Sequence, residues 1–213
     1  MLPLLFQGEF ALFALIVIAL VISLSFHEFG HAFVAKRFGD DTAERAGRLT
    51  VNPIAHIDPV GLFMVVAIGI GYAKPVPTDP RNFTSRFADL WVAAAGPFMN
   101  LVVAAVVLNV FVLLAKLGFG AVGSDGVQVF VAYLVGINLV LMVFNLIPLG
   151  PLDGHYILPY FLPRQLARRY VYFNARYGAF ALLGLILLQF VGLPVFQTVM
   201  AVARFIEPFI LLV

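Results

Sequence analysis

Residues 10–37 read FALFALIVIALVISLSFHEFGHAFVAKR, and no acidic or basic side chain interrupts them before the pair His27-Glu28. A helix needs about 20 mainly apolar residues to cross about 30 Å of hydrocarbon, so the run from Phe10 to about Phe38 reads as a membrane span. Yet its second half carries two imidazoles and a carboxylate, at His27, Glu28 and His31. Ionisable groups are expensive inside a bilayer and mark function there.

The composition agrees with a membrane setting. Of 213 residues, 62% are hydrophobic and 11% charged, and the mean hydropathy is +1.03, whereas a soluble domain is about 45–50% apolar and about 25% charged. No hydrophilic block reaches the roughly 50 residues of a small soluble domain, so residues 1–213 are expected to form a single integral membrane domain. The N-terminus lacks the basic region and cleavage site of a removable signal, so the first apolar segment is expected to persist as a span. Cysteine is absent. Disulfides, iron-sulfur clusters and thiolate metal sites are thereby excluded, and a metal would have to use His, Asp or Glu. The formal charge is +2, with Lys and Arg scattered through several loops, which gives no footprint for nucleic acid.

Further spans are expected from about Phe87 to Ala115, from Val127 to Ile147 and from Gly178 to about Leu193. The segment from Val195 to Val213, interrupted by Arg204 and Glu207, suits a poor span or an interfacial helix. The run Val60–Ala73, VGLFMVVAIGIGYA, is short for a crossing and suits a re-entrant or partial segment. The expected fold class is therefore an all-α polytopic membrane protein of about five to six membrane segments, with a small membrane-face β element or re-entrant loop. Lys and Arg in short loops favour the cytoplasmic side. Placing Lys36, Arg37, Arg45 and Arg48 there together with Lys74, Arg81 and Arg86 requires the short run to dip in and return. The N-terminus then lies outside, and Arg164, Arg168, Arg169 and Arg176 lie in the cytoplasm.

His27 and His31 are four residues apart, which on a helix puts both side chains on one face about a turn apart. Two nitrogens so placed can reach one ion at about 2.0–2.1 Å. Glu28 is turned about 100° away, where it cannot easily join as a ligand but can reach a water beside the metal. H-E-x-x-H on a helix is the zinc metalloprotease pattern, with the Glu as general base. At 1.5 Å per residue, His27 lies about 26 Å beyond Phe10, so the site is expected near the cytoplasmic face. A third ligand must come from elsewhere. The remaining candidates are His56, His155, Asp58 and Asp153, and Asp153 falls on the expected side in FNLIPLGPLDGHYIL. Taken alone, PLDG reads equally as a surface turn.

HEFGH and NLIPLGPLDG, with NPIAHIDPVG and GYAKPVP between them, resemble the site-2 protease family of intramembrane zinc metalloproteases, over about Phe10 to Tyr160. The resemblance implies one zinc ion on His27, His31 and Asp153, with Glu28 as base and Asn145, which opens the second motif, assisting at the site. His56 is a further candidate donor to the oxyanion. His155 reads as exposed or supporting, and Asn100, ending GPFMN, as a packing or site-lining residue beside Gly96 and Pro97. GYAKPVPTDP, with Pro75, Pro77 and Pro80, reads as an extended segment suited to a sheet edge, and in the family this region contributes to a small sheet that could hold substrate by strand addition. The chain carries no PDZ- or CBS-like stretch, so the compact branch of the family is the nearer match.

The implied activity is zinc endopeptidase cleavage within or near transmembrane segments of membrane proteins, in the cell membrane, with the site toward the cytoplasm. The alternative from another class is a membrane metal-binding or metal-transport protein using the same ligands. Its expected further ionisable residues along the outer halves of the spans are scarce.

Overall fold

In a computed structural model, residues 1–68, 71 and 73–213 are described. A short helix α1 (Leu2–Phe6) leads into α2 (Phe10–Arg37), followed by α3 (Thr42–Arg45), α4 (Pro53–His56) and α5 (Pro59–Ile68). The chain then forms α6 (Ala88–Lys116), α7 (Asp125–Asn145), α8 (Gly154–Ile157), α9 (Arg164–Leu188) and α10 (Val195–Ile206). Four of these, α2, α6, α7 and α9, are long and apolar enough to cross a membrane. The protein is an integral membrane protein of the all-α class.

Helix is the form these sequences must take in lipid, because no water is available there to satisfy backbone N–H and C=O groups. Lipid also offers no hydrophobic drive between helices, so packing relies on small residues and interhelical hydrogen bonds. The buried positions follow that rule: Ala19, Ala32 and Ala35 on α2 and Ala88, Ala93 and Ala95 on α6 are buried where these helices pack together. At Gly30 a Cβ would come within 2.7 Å of Ala95 O, so only glycine permits this crossing. Bulky residues such as Phe98, Val106, Phe180 and Leu183 point outward. A second cluster, of Ala104, Val135, Leu139 and Met142 with Ala203 and Ile210, joins α6, α7 and the chain's end. There Asn109 donates to Ile210 O and accepts from Leu212 N–H.

α2 stops where Lys36 and Arg37 complement the C-terminal dipole. Gly39 follows at φ +95°, a conformation that glycine adopts without the Cβ penalty. Asp40, fully buried, then ties three segments together. It accepts from Thr42 N–H and Asn82 Nδ2 on one oxygen and from Asp79 N–H on the other. These bonds hold its carboxyl below the usual carboxylate range against the opposing effect of burial. A depressed folded-state pKa contributes stability that is present above the unfolded value and is lost as pH falls through the folded one. Asp40→Ala is expected to cost about 2–4 kcal/mol, since four donors, these three and the Thr42 hydroxyl, lose a charged acceptor. Thermal unfolding in detergent at neutral pH measures it; a melting temperature equal to the parent's would sink the assignment.

Two features differ from the sequence reading. The helix that carries the fourth expected span begins at Arg164, ahead of the apolar run from Gly178, because RQLARRYVYFNAR continues the helical pattern without a breaker after Pro163. Among the described residues no β-strand forms. Ala73–Asp79 is extended without a ladder, because its polar backbone is spent on side chains and on α4, as set out below. The short run Val60–Ala73 is helical over α5, and part of that run lies outside the described residues. At 10 and 12 residues, α5 and α10 fall short of the roughly 20 a crossing needs.

Candidate active site

His27 and His31 sit one turn apart near the end of α2, buried against α6, with ring centroids 4.7 Å apart and planes at 83°. His31 Nδ1 donates to Val92 O at 2.7 Å, and His27 Nδ1 faces Asn100 Oδ1 at 2.6 Å. With Nδ1 of each ring spent in this way, Nε2 is the ring atom each histidine turns outward. Gly96 leaves the space for the two rings. A Cβ there would lie 2.3 Å from His31 Nε2 and 2.6 Å from His27 Cε1. Gly96→Ala is therefore expected to displace the pair and lower the zinc content of purified protein at least about 10-fold. Gly184→Ala, where a Cβ meets nothing within 4 Å, should leave the zinc content unchanged; elemental analysis compares the two.

Asp153 arrives from the loop between α7 and α8. Its Oδ2 lies 3.3 Å from His27 Nε2 and its Oδ1 3.4 Å from His31 Nε2, while the two Nε2 atoms are 3.1 Å apart. The loop reverses over the end of α7 because residue 154 is glycine: a Cβ would come within 2.3 Å of Leu146 O and 2.6 Å of Ile147 O. From outside, α9 ties it down. Asn174 Oδ1 accepts from Gly150 N–H at 2.9 Å, and Tyr170 OH donates to Pro148 O at 2.8 Å. Asn174→Ala is expected to loosen Asp153 and weaken zinc binding about 10-fold, as read by chelator competition; parent-like affinity would remove Asn174 from this role.

The donor set fits a cation. Ligand atoms about 2.0–2.1 Å from a tetrahedral ion stand about 3.3–3.4 Å apart; the two Nε2 atoms are 3.1 Å apart, and each has one oxygen of Asp153 at this spacing, Oδ2 at 3.3 Å from His27 and Oδ1 at 3.4 Å from His31. Asp153 Oδ2 is buried and accepts no hydrogen bond, an arrangement that is costly unless a positive charge lies among the three atoms. These three are also the one group among the described residues whose ligand atoms all lie within 4.8 Å of one another.

Glu28 lies beside the group, not in it, and its Oε2 accepts from Val76 N–H at 3.2 Å. Val76 belongs to the extended segment that passes the site, and buried Arg48 fastens that segment. Arg48 donates to Lys74 O at 2.5 Å, to Pro75 O at 3.1 Å and to His56 Nδ1 at 3.2 Å. Lys74 N–H in turn donates to His56 O at 2.9 Å. His56 Nε2 donates to Thr50 O at 2.7 Å, so both ring nitrogens are engaged. Burial, with the Arg48 charge adding to it, holds this imidazole below its usual pKa and hence neutral at neutral pH.

The remaining sequence candidates are hydrogen-bonded to backbone groups. Asn145 ends α7 with its amide on Leu141 O at 3.0 Å. His155 Nδ1 donates to Leu152 O, and Asp58 accepts from Val60 and Gly61 N–H at the start of α5. Sequence reasoning did not single out Arg48, Asp40, Asn138 or Asn174 as supporting residues. For Asn138 a signal existed, since an amide within an apolar span calls for an interhelical partner.

Comparison with known proteins places this chain among relatives. The model of peptidase family M50 matches residues 15–122 and 115–186. A protein of Bacillus subtilis (strain 168), named "Putative zinc metalloprotease YwhC", is 43% identical over 151 residues, covering 70% of this chain and 69% of that protein. "Putative zinc metalloprotease Rip2" of Mycolicibacterium smegmatis is 34% identical over 67% of this chain and 55% of its own length. The protein of that name in Mycobacterium tuberculosis (strain Erdman) is 35% identical over 72% and 58%. The matched stretch thus spans little more than half of the mycobacterial relatives. No solved structure matches the chain.

Proposed function

The chain belongs to peptidase family M50, and on that premise we propose that this zinc metalloprotease works as an intramembrane endopeptidase, cutting peptide bonds in or near transmembrane segments of membrane proteins. The observation that carries the reading is the convergence of His27, His31 and Asp153 from two distant segments, with Glu28 alongside, on helices apolar enough to span a bilayer.

His27, His31 and Asp153 would hold the zinc, three protein ligands being the number usual at catalytic sites. Bound there, zinc supplies Lewis-acid polarisation of the scissile carbonyl and a water acidic enough to ionise near neutral pH. Glu28 takes the proton of the attacking water on a carboxylate oxygen and passes it to the departing amine as the C–N bond breaks. Its bond from Val76 N–H keeps the carboxylate turned to this side. Asn145 and His56 are the candidate donors to the developing oxyanion. At rest one N–H of Asn145 is bonded to Leu141 O, and its second N–H remains to donate; His56 Nε2–H is bonded to Thr50 O and must change partner to act. His56 also holds Arg48, and through it the segment beside Glu28.

In this reading residues 1–213 act as one membrane domain, in the cell membrane with the site toward the cytoplasm, where the basic loops accumulate. The partners are the substrate's transmembrane segment and the bilayer, and the substrate helix must unwind locally for its peptide bond to be reached. The test is cleavage of a set of transmembrane peptides by the purified protein in liposomes. Cutting that a chelator stops and zinc restores is expected. A zinc-loaded protein that leaves every membrane-embedded peptide intact, while cutting the same sequences in water, would replace this reading with a peripheral peptidase.

A further inference from the structure

Behind His27, away from the three ligand atoms, lies a chain of fully buried polar side chains linking three helices. Asn100 on α6 and Asn138 on α7 have no exposed surface, and neither has Ser23 on α2. Asn138 Nδ2 donates to Leu134 O at 2.7 Å and to Ser23 Oγ at 2.8 Å. Asn100 Nδ2 donates to Asn138 Oδ1 at 2.8 Å and to Ser23 O at 3.1 Å. Asn100 Oδ1 then faces His27 Nδ1 at 2.6 Å. Ser23 Oγ donates onward to Ala19 O.

The direction of every bond in this chain follows from its ends. A backbone carbonyl only accepts, so Leu134 O requires the NH2 end of Asn138 and thereby turns Asn138 Oδ1 toward Asn100. That oxygen and Ser23 O, another carbonyl, require the NH2 end of Asn100. Its Oδ1 is left for His27, whose Nδ1 must carry the proton. Nε2 is consequently bare. Were either amide turned over, NH2 groups would meet or His27 would be protonated on Nε2, the atom that faces Asp153. Every donor and acceptor assigned here has a partner, the condition under which a buried network holds one arrangement.

We propose that Asn138, acting through Asn100, is a positioning residue that sets the tautomer of His27 and so prepares its Nε2 to bind the metal. This rests on the zinc-site reading above. Asn138 touches neither ligand atoms nor substrate; its Oδ1 holds one N–H of Asn100 at 2.8 Å, Ser23 O holds the other at 3.1 Å, and together they fix the polarity of a relay running to the imidazole. Ser23 Oγ, by contrast, can donate or accept and imposes no polarity, so its loss leaves Leu134 O and Ser23 O to keep the relay aligned.

The chain has four histidines, so nitrogen NMR of histidine-labelled, zinc-loaded protein can assign the ring nitrogen that carries each proton, beside chelator competition for zinc. In the parent protein His27 is expected to show one sharp Nδ1–H signal. Asn138→Leu is expected to shift or broaden that signal and to weaken zinc binding about 10-fold, near the lower end of what loss of an outer partner costs a metal site. Asn138→Ser, too short to reach Asn100, should do the same if the leucine variant fails to fold. Ser23→Ala also loses a buried polar group, and it should keep the parent's Nδ1–H signal. A parent-like Nδ1–H signal with zinc affinity within twofold of the parent in a folded Asn138 variant overturns the relay. So does a change of that signal in Ser23→Ala equal to that in Asn138→Ser. Failure of the zinc-site reading looks different, because the parent protein itself would then not bind zinc.

Discussion

Glu28→Gln is expected to keep its zinc and to cleave membrane-embedded peptide roughly 10²- to 10⁴-fold more slowly, the range that a positioned general base contributes. The substitution is nearly isosteric. The amide oxygen still accepts from Val76 N–H, so the extended segment keeps its anchor beside the site. Neither His27, His31 nor Asp153 is touched, and the zinc content of the purified variant should equal the parent's. What disappears is the capacity to take a proton from water and return it to the amine. Elemental analysis and peptide cleavage on the same preparation separate the two effects. Cleavage within about threefold of the parent would remove Glu28 from the chemistry, and loss of zinc would make it a ligand or a structural support.

The second large effect is expected at Asp153→Ala, which should lose zinc by more than the roughly 10- to 100-fold that removal of an outer partner costs. Two imidazoles from one helix turn would remain, without the carboxylate that closes the group from the other side. The loop itself should persist, because its turn depends on Gly154 and its tethers on Asn174 and Tyr170, none of which involves the Asp153 side chain. The variant is therefore expected to melt near the parent's metal-free temperature while failing to compete with a chelator for zinc. Full zinc stoichiometry in this variant would mean that the third ligand lies elsewhere, and the proposed reaction would lose its centre.

Much of the molecule was legible before any coordinates. Three long apolar runs could be read as spans to within a few residues, because in hydrocarbon the backbone has no alternative to a helix. In the fourth, the helix starts well ahead of the apolar run. Arg164–Arg176 lacks the apolar composition that marks a span, yet nothing in it breaks a helix, so α9 simply runs on into the polar region. The extended Ala73–Asp79 segment invited a sheet edge through its prolines. It forms no ladder because Arg48, His56 and Glu28 take up Lys74 N–H, Lys74 O, Pro75 O and Val76 N–H. Arg48 gave no sign of this, since a basic residue in a loop ordinarily faces water.

What the sequence determined by itself was local. A helical period of 3.6 residues sets His27 and His31 on one face and turns Glu28 aside, wherever that helix is placed. Whether a carboxylate would meet the imidazole pair, and whether that pair would turn bare nitrogens toward it, depended on contacts between residues far apart in the chain. Gly96, Gly154 and Asn100 decide these matters through a missing Cβ or a directed hydrogen bond. Such effects exist only once α2, α6 and the loop after α7 have packed, because sterics and hydrogen-bond direction are properties of pairs in space and carry no period along the chain.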